Sequence, residues 1–86
     1  MAHLIRISDV PRARWIALRD QLAADGWTLI RGGGLDHSWA TLHRGEPVIE
    51  MQWDNWTEGE ITYAQEQAGL IEAQLPEDIR ALPKAP

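Results

Sequence analysis

The groups in this chain best able to do chemistry are three histidines, a run of three glycines and one stretch that mixes tryptophan with carboxylates. His37 and His43 share one side of the alternating segment His37-Ser38-Trp39-Ala40-Thr41-Leu42-His43, the pattern of a half-buried strand. Six residues at ~3.3 Å each set them ~20 Å apart, too far to share a metal ion. His3 meets either of them only across a sheet. There is no cysteine, which excludes disulfides, thiolate catalysis and Cys-containing metal sites. The expectation is therefore no metal and no cofactor, with the histidines hydrogen-bonded or on the surface.

The glycine run Gly32-Gly33-Gly34 follows an apolar strand pattern, as phosphate-binding loops do. Such a loop needs a helix N-terminus directly after it, whereas here a second strand pattern follows and no Gly-Lys-Ser/Thr is present. A flexible connection between strands is the better reading.

The segment Glu50-Met51-Gln52-Trp53-Asp54-Asn55-Trp56-Thr57-Glu58-Gly59-Glu60 gathers two indoles and several carboxylates at an expected strand-to-helix junction. Three readings fit these residue types. In a structural one, Trp53 fills the core, Trp56 covers its lower edge, and Asp54, Asn55 and Thr57 cap the helix. In a chemical one, paired carboxylates serve acid–base or glycosidase-like catalysis, or the junction holds a small ligand. In the third, tryptophan with a polar rim makes an interaction surface, the composition typical of binding hot spots. A thin layer of helices leaves little room for a catalytic pocket, so a non-enzymatic interaction surface is the expected function. Its candidate residues are Trp39, Trp56, Asp54, Asn55, Glu58 and Glu60.

Charge narrows the partner. The net charge is −5, with residues 1–44 at +2 and residues 45–86 at −7. An acidic half repels phosphate backbones, so direct nucleic-acid binding is not expected. A protein partner with a basic surface, or a second copy of the chain, is. An acidic mimic of nucleic acid that inhibits a mobile element is a further alternative. No stretch approaches the ~20 apolar residues of a membrane span, and the first residues lack a secretory pattern, so a cytoplasmic, bacterial-type protein with no membrane contact is the expectation.

The elements that must position these residues follow from periodicity. Residues 2–8 alternate as a strand. Ser8 or Asp9 then offers an N-cap, with Pro11 in the first turn of a helix over about 10–25 whose stripe is Pro11, Trp15, Leu18 and Leu22. Gly26 ends it. Residues 27–31 read as a strand, and 37–43 with 47–53 as a hairpin turning at Arg44-Gly45. In that hairpin Ile49, Met51 and Trp53 share one face, and Val48, Glu50 and Gln52 the other. Thr57-Glu58-Gly59-Glu60 has capping-box spacing, and Ile61, Ala64, Ala68, Ile71 and Leu75 follow at helical intervals, which predicts a helix from Thr57 or Thr62 to Leu75. Residues 76–86 form a partly frayed tail, with one further helical turn near 76–80.

The expected fold is a single α+β domain over residues 1–86, in the order β-α-β-β-β-α. Two helices cover one face of a three- or four-stranded, mainly antiparallel sheet. The helix, three-strand, helix order resembles, in topology only, double-stranded-RNA-binding modules. Those modules hold phosphates with lysines where this chain has Glu58, Glu60 and Glu66. An uncovered sheet face bearing Trp39 and Val48 would form a natural contact surface.

Overall fold

The computed structural model describes residues 3–85, in which the chain forms β1 (Leu4–Val10), α1 (Arg12–Ala24), β2 (Thr28–Gly33), β3 (His37–His43), β4 (Val48–Asp54) and β5 (Gly59–Ala64). A single 3₁₀ turn at Gln65–Gln67 leads into α2 (Ala68–Glu72), followed by α3 (Glu77–Arg80) and the short β6 (Lys84–Ala85). The class is α+β. One sheet takes the order β2-β3-β4-β5-β1-β6, and every neighbouring pair is antiparallel. Strands β1 and β2, joined through α1, share this sheet and run in the same direction, but three strands lie between them. No helix among the described residues is long and apolar enough to cross a membrane.

The sheet has six strands rather than three or four, chiefly because residues 59–64 are a strand and not the first turns of a helix. Two periodicities compete there. Ile61, Ala64 and Ala68 recur at helical spacing, but Gly59, Ile61 and Tyr63 also alternate with Glu60, Thr62 and Ala64. Only the second set is buried at every other position. The β-branched Ile61 and Thr62 and the aromatic Tyr63 favour the pleated surface. Partners on both sides decide it: Ile61 lies between Met51 and Ile7, and Tyr63 between Ile49 and Ile5. The helical stripe survives only beyond Ala68, where Ile71 and Leu75 are buried. With a strand and not a helix over residues 59–64, the topological likeness to double-stranded-RNA-binding modules lapses. Within the tail, α3 buries Ile79, and Lys84 and Ala85 pair with Ile7 and Arg6 of β1.

All the helices pack on one face. The inward positions are Ile5 and Ile7 of β1, Leu29 of β2, Ala40 and Leu42 of β3, Ile49, Met51 and Trp53 of β4, and Ile61 and Tyr63 of β5. Across them lies the α1 stripe of Trp15, Leu18 and Leu22, each at most 1% exposed. Near the end of β1 the alternation would turn Asp9 inward. A bulge between Ile7 and Val10 prevents this, with Asp9 in the left-handed region at φ 62°, a conformation that Asp tolerates better than most residues. Val10, rather than the carboxylate, is then buried. The same bulge removes Ser8 and Asp9 as helix caps: Pro11 is the N-cap of α1, without any side-chain hydrogen bond.

Val10 pairs with Gly59, and the indole of Trp15 lies directly on that glycine. A Cβ at position 59 would fall 3.0 Å from the Val10 carbonyl and far inside contact distance of the Trp15 ring, so only glycine admits the helix this close.

Two further contacts bind the later helices to this frame. Arg14 of α1 makes a two-pronged ion pair with Asp78 of α3, at 2.7 and 3.0 Å. It raises the arginine's proton affinity and holds the Asp78 carboxyl below its ordinary range. Tyr63 of β5 donates its hydroxyl to Glu72 of α2 at 2.6 Å. Burial first, and then the hydrogen bond to that carboxylate, push the phenol of Tyr63 well above its ordinary value of 10.0. A raised folded-state value means that the neutral phenol stabilises the fold below pH 10, and that this contribution is lost as pH rises beyond it. Tyr63 is the sole tyrosine of the chain, so phenolate absorbance near 295 nm reports on it alone. In guanidinium the phenolate will appear at about pH 10. In the folded protein it will appear only at higher pH, together with loss of circular dichroism; ionisation near pH 10 with the spectrum intact would contradict the placement of Tyr63.

Candidate functional site

One end of the sheet is organised by a single carboxylate. Asp54, the last residue of β4, accepts hydrogen bonds at Oδ1 from the Trp56 N–H (2.9 Å), the Thr57 N–H (2.7 Å) and the Thr57 hydroxyl (3.0 Å). This is an Asx-type turn, in which a short carboxylate side chain takes up the backbone donors that follow it. Thr57 and Trp56 hold the carboxyl below its ordinary range, Thr57 most strongly, and the charge of His37 adds a smaller push in the same direction. Asp54, Asn55 and Thr57 therefore shape the β4–β5 hairpin turn. They cap no helix, because the apparent capping box lies between two strands.

The neighbouring loop is tied to the first. The Asn55 amide donates to Asp36 Oδ1 at 2.6 Å, and the Asn55 N–H donates to the Asp36 carbonyl at 3.1 Å. The β2–β3 and β4–β5 connections are thus locked side by side. At their tips stand two large apolar side chains: Leu35, 98% exposed, and Trp56, 80% exposed. Trp56 covers no part of the core. Trp53 does face inward, half-buried, with the Arg12 guanidinium 5.0 Å from its ring centroid.

From this end the outward sheet face runs back without a covering element. His37 lies opposite Asp54, and one row further in come Gly32, Trp39, Gln52 and Glu60 across four strands. The Trp39 ring lies over Gly32, where a Cβ would fall 2.8 Å from the indole. Two strand spacings, with β4 between, separate Trp39 from Glu60, ~10 Å at the usual spacing. Glu60 makes a long contact, 3.9 Å, with Arg6 on the neighbouring strand. Ile30 (54% exposed) and Val48 (38% exposed) continue the apolar content of this face, among Thr41, Glu50 and Thr62.

The six candidate residues thus fall into two connected groups. Asp54, Asn55, Trp56 and Glu58 occupy the β4–β5 turn and its approach, while Trp39 and Glu60 share a row of the open face. Leu35, Asp36 and Ile30 complete the surface. The apolar Leu35 between a glycine run and an aspartate was the signal that the sequence offered for them. His37 and Asp54 are neighbours, as acid–base chemistry would require, but His43 lies at the far end of β3, and no cluster of three or more metal-ligating side chains occurs among the described residues. Comparison of the chain with protein-family models, with curated proteins and with solved structures gives no match.

The turn generates a local prediction. Because the folded Asp54 value is depressed, its hydrogen bonds are fully in force above the ordinary value of 3.8 and are lost as pH falls through the lower folded value. An NMR titration of the Asp54 carboxyl will give a midpoint below 3.8, and Thr57→Ala will move it upward by removing the hydroxyl donor. A midpoint at the ordinary value in both proteins would show that the turn is not held this way.

Proposed function

We propose that the chain is a non-catalytic protein-binding module, an accessory or inhibitory subunit, that engages its partner with the open sheet face and the adjoining loop tips. The observation that carries this reading is the arrangement of exposed indoles. Trp39 lies on the sheet face opposite the one that takes all the helices, and Trp56 stands at the tip of the adjoining β4–β5 turn, with Leu35, Ile30 and Val48 also exposed. Apolar side chains in this density on a small domain are costly to leave in water and are typical of contact surfaces. The polar surround of Asp54, Asn55, Glu58, Glu60 and Glu50 supplies the rim of such a surface. Its acidity suits a partner that presents Lys and Arg, and the long-range field of a −5 chain would speed that encounter.

Trp39→Ala and Trp56→Ala truncate side chains outside the core, so both variants will fold with melting temperatures near that of the parent. Used as baits in an extract of the native host, the parent chain will retain a specific protein that each variant loses. The cost is about 2 kcal/mol, or roughly thirty-fold in affinity, for a central indole. Light scattering on the isolated chain distinguishes self-association over the same face, which the same two variants would abolish. A strictly monomeric chain, together with identical captures by parent and variants, would overturn the reading.

A further inference from the structure

At the opposite end of β4 from the Asp54 turn, the surface folds inward as a groove of about 450 Å³, lined by Trp27, Arg44, Pro47, Leu70 and Gln74. Three separate parts of the chain build it. Trp27 is fixed between α1 and β2, its backbone N–H donating to the Leu22 carbonyl at 3.0 Å after the left-handed Gly26. Arg44 and Pro47 form the β3–β4 turn and bond to each other through the backbone at 3.1 Å. Leu70 comes from α2 and Gln74 from the turn that follows it.

The chemistry of this lining is one-sided. Arg44 is the only charged residue in it, and no carboxylate lies within ion-pairing distance of that guanidinium among the described residues. Arg44 is one of five basic side chains, with Arg12, Arg31, Arg80 and Lys84, that make no ion pair among the described residues, and it stands where the groove wall holds no acid. Gln74 adds an amide. Trp27 is 3% exposed, and its indole N–H is buried without an acceptor, as is that of Trp15 in the core. The rest of the lining is apolar: Trp27, Pro47, and Leu70 with 57% of its surface still in water. The volume is of the size that small-molecule sites use.

We propose that this groove binds a small organic acid, its carboxylate held by Arg44 and Gln74 and its apolar body lying against Trp27, Pro47 and Leu70. The planar guanidinium fork matches a carboxylate in two parallel hydrogen bonds, which a neutral amide of the same shape does not reproduce. The groove lies ~20 Å along β4 from the Asp54 turn, and Val48, next to Pro47, is the residue of the proposed binding face nearest to it in the chain.

The probes are benzoate and hexanoate, with benzamide as the neutral control, titrated into the ¹⁵N-labelled full chain. The carboxylates will move the Trp27 indole and the Arg44 signals, saturating in the millimolar range, and leave the indoles of Trp39 and Trp56 in place. Benzamide will bind at least ten-fold more weakly. Arg44→Gln, a change at an exposed turn, and Leu70→Glu, which sets a negative charge at the rim, will each weaken benzoate by ten-fold or more while the rest of the spectrum shows an intact fold. Equal binding of benzamide and benzoate, undiminished binding by Arg44→Gln, shifts confined to Trp39 and Trp56, or no shift with either acid would each overturn the proposal. None of these results bears on partner capture through the open face.

Discussion

The approach of α1 to the sheet depends on one contact, the indole of Trp15 seated on Gly59. An indole is the largest side chain a core can receive, and it is received here by the smallest residue, at a position paired with the bulged end of β1. From this seat the Leu18 and Leu22 turns of the helix come down over the inward residues of the central strands. A buried indole removes roughly 150–250 Å² from water, so in a chain of 86 residues this placement supplies a substantial share of the apolar burial. It also settles which face of the sheet is closed.

What remains open follows by alternation. Each strand places half its side chains inward, and with α1, α2 and α3 all on that side, the outward half meets solvent. On β3 and β4 the outward residues include Trp39 and Val48, which the helices cannot reach. The proposed binding role rests on this division. Asp54 connects the two, since it ends a strand of the sheet and, through Thr57, Trp56 and its neighbour Asn55, sets the loops that carry the exposed tips. The groove beside Arg44 lies at the other end, where Leu70 of α2 and Gln74 after it line one cavity with Arg44 and Pro47 of the β3–β4 turn.

Much of this was legible in the residues. The hairpin of β3 and β4 and its two faces follow from strict alternation on both arms, and α1 from its stripe of Trp15, Leu18 and Leu22 with Gly26 behind it. Residues 59–64 were not, because Ile61 and Ala64 satisfy both a helical and a strand period, and the choice belongs to partners 10 residues upstream and more than 50 residues away, at Met51 and Ile7. Thr57 and Glu60 imitate a capping box for the same reason: a turn between strands and a helix start call on the same short polar side chains. Asp9 hid its bulge, since a carboxylate after an alternating run reads as a cap until the need to bury Val10 is seen. Of the candidate surface, the residue types were recognisable, but the bond from Asn55 to Asp36 that joins two loops depends on strand order, which periodicity does not carry.

The central claim is that the five tryptophans divide between the closed side of one sheet and its exposed face and loop tip. Hydrogen exchange of the five indole N–H groups in ¹⁵N-labelled protein, at a concentration where the chain is monomeric, measures that division directly. The account predicts slow exchange at Trp15 and Trp27, close to the rate of global unfolding, and rapid exchange at Trp39 and Trp56. Protection of Trp39 or Trp56 equal to that of Trp15, or unprotected exchange at Trp15, would contradict it.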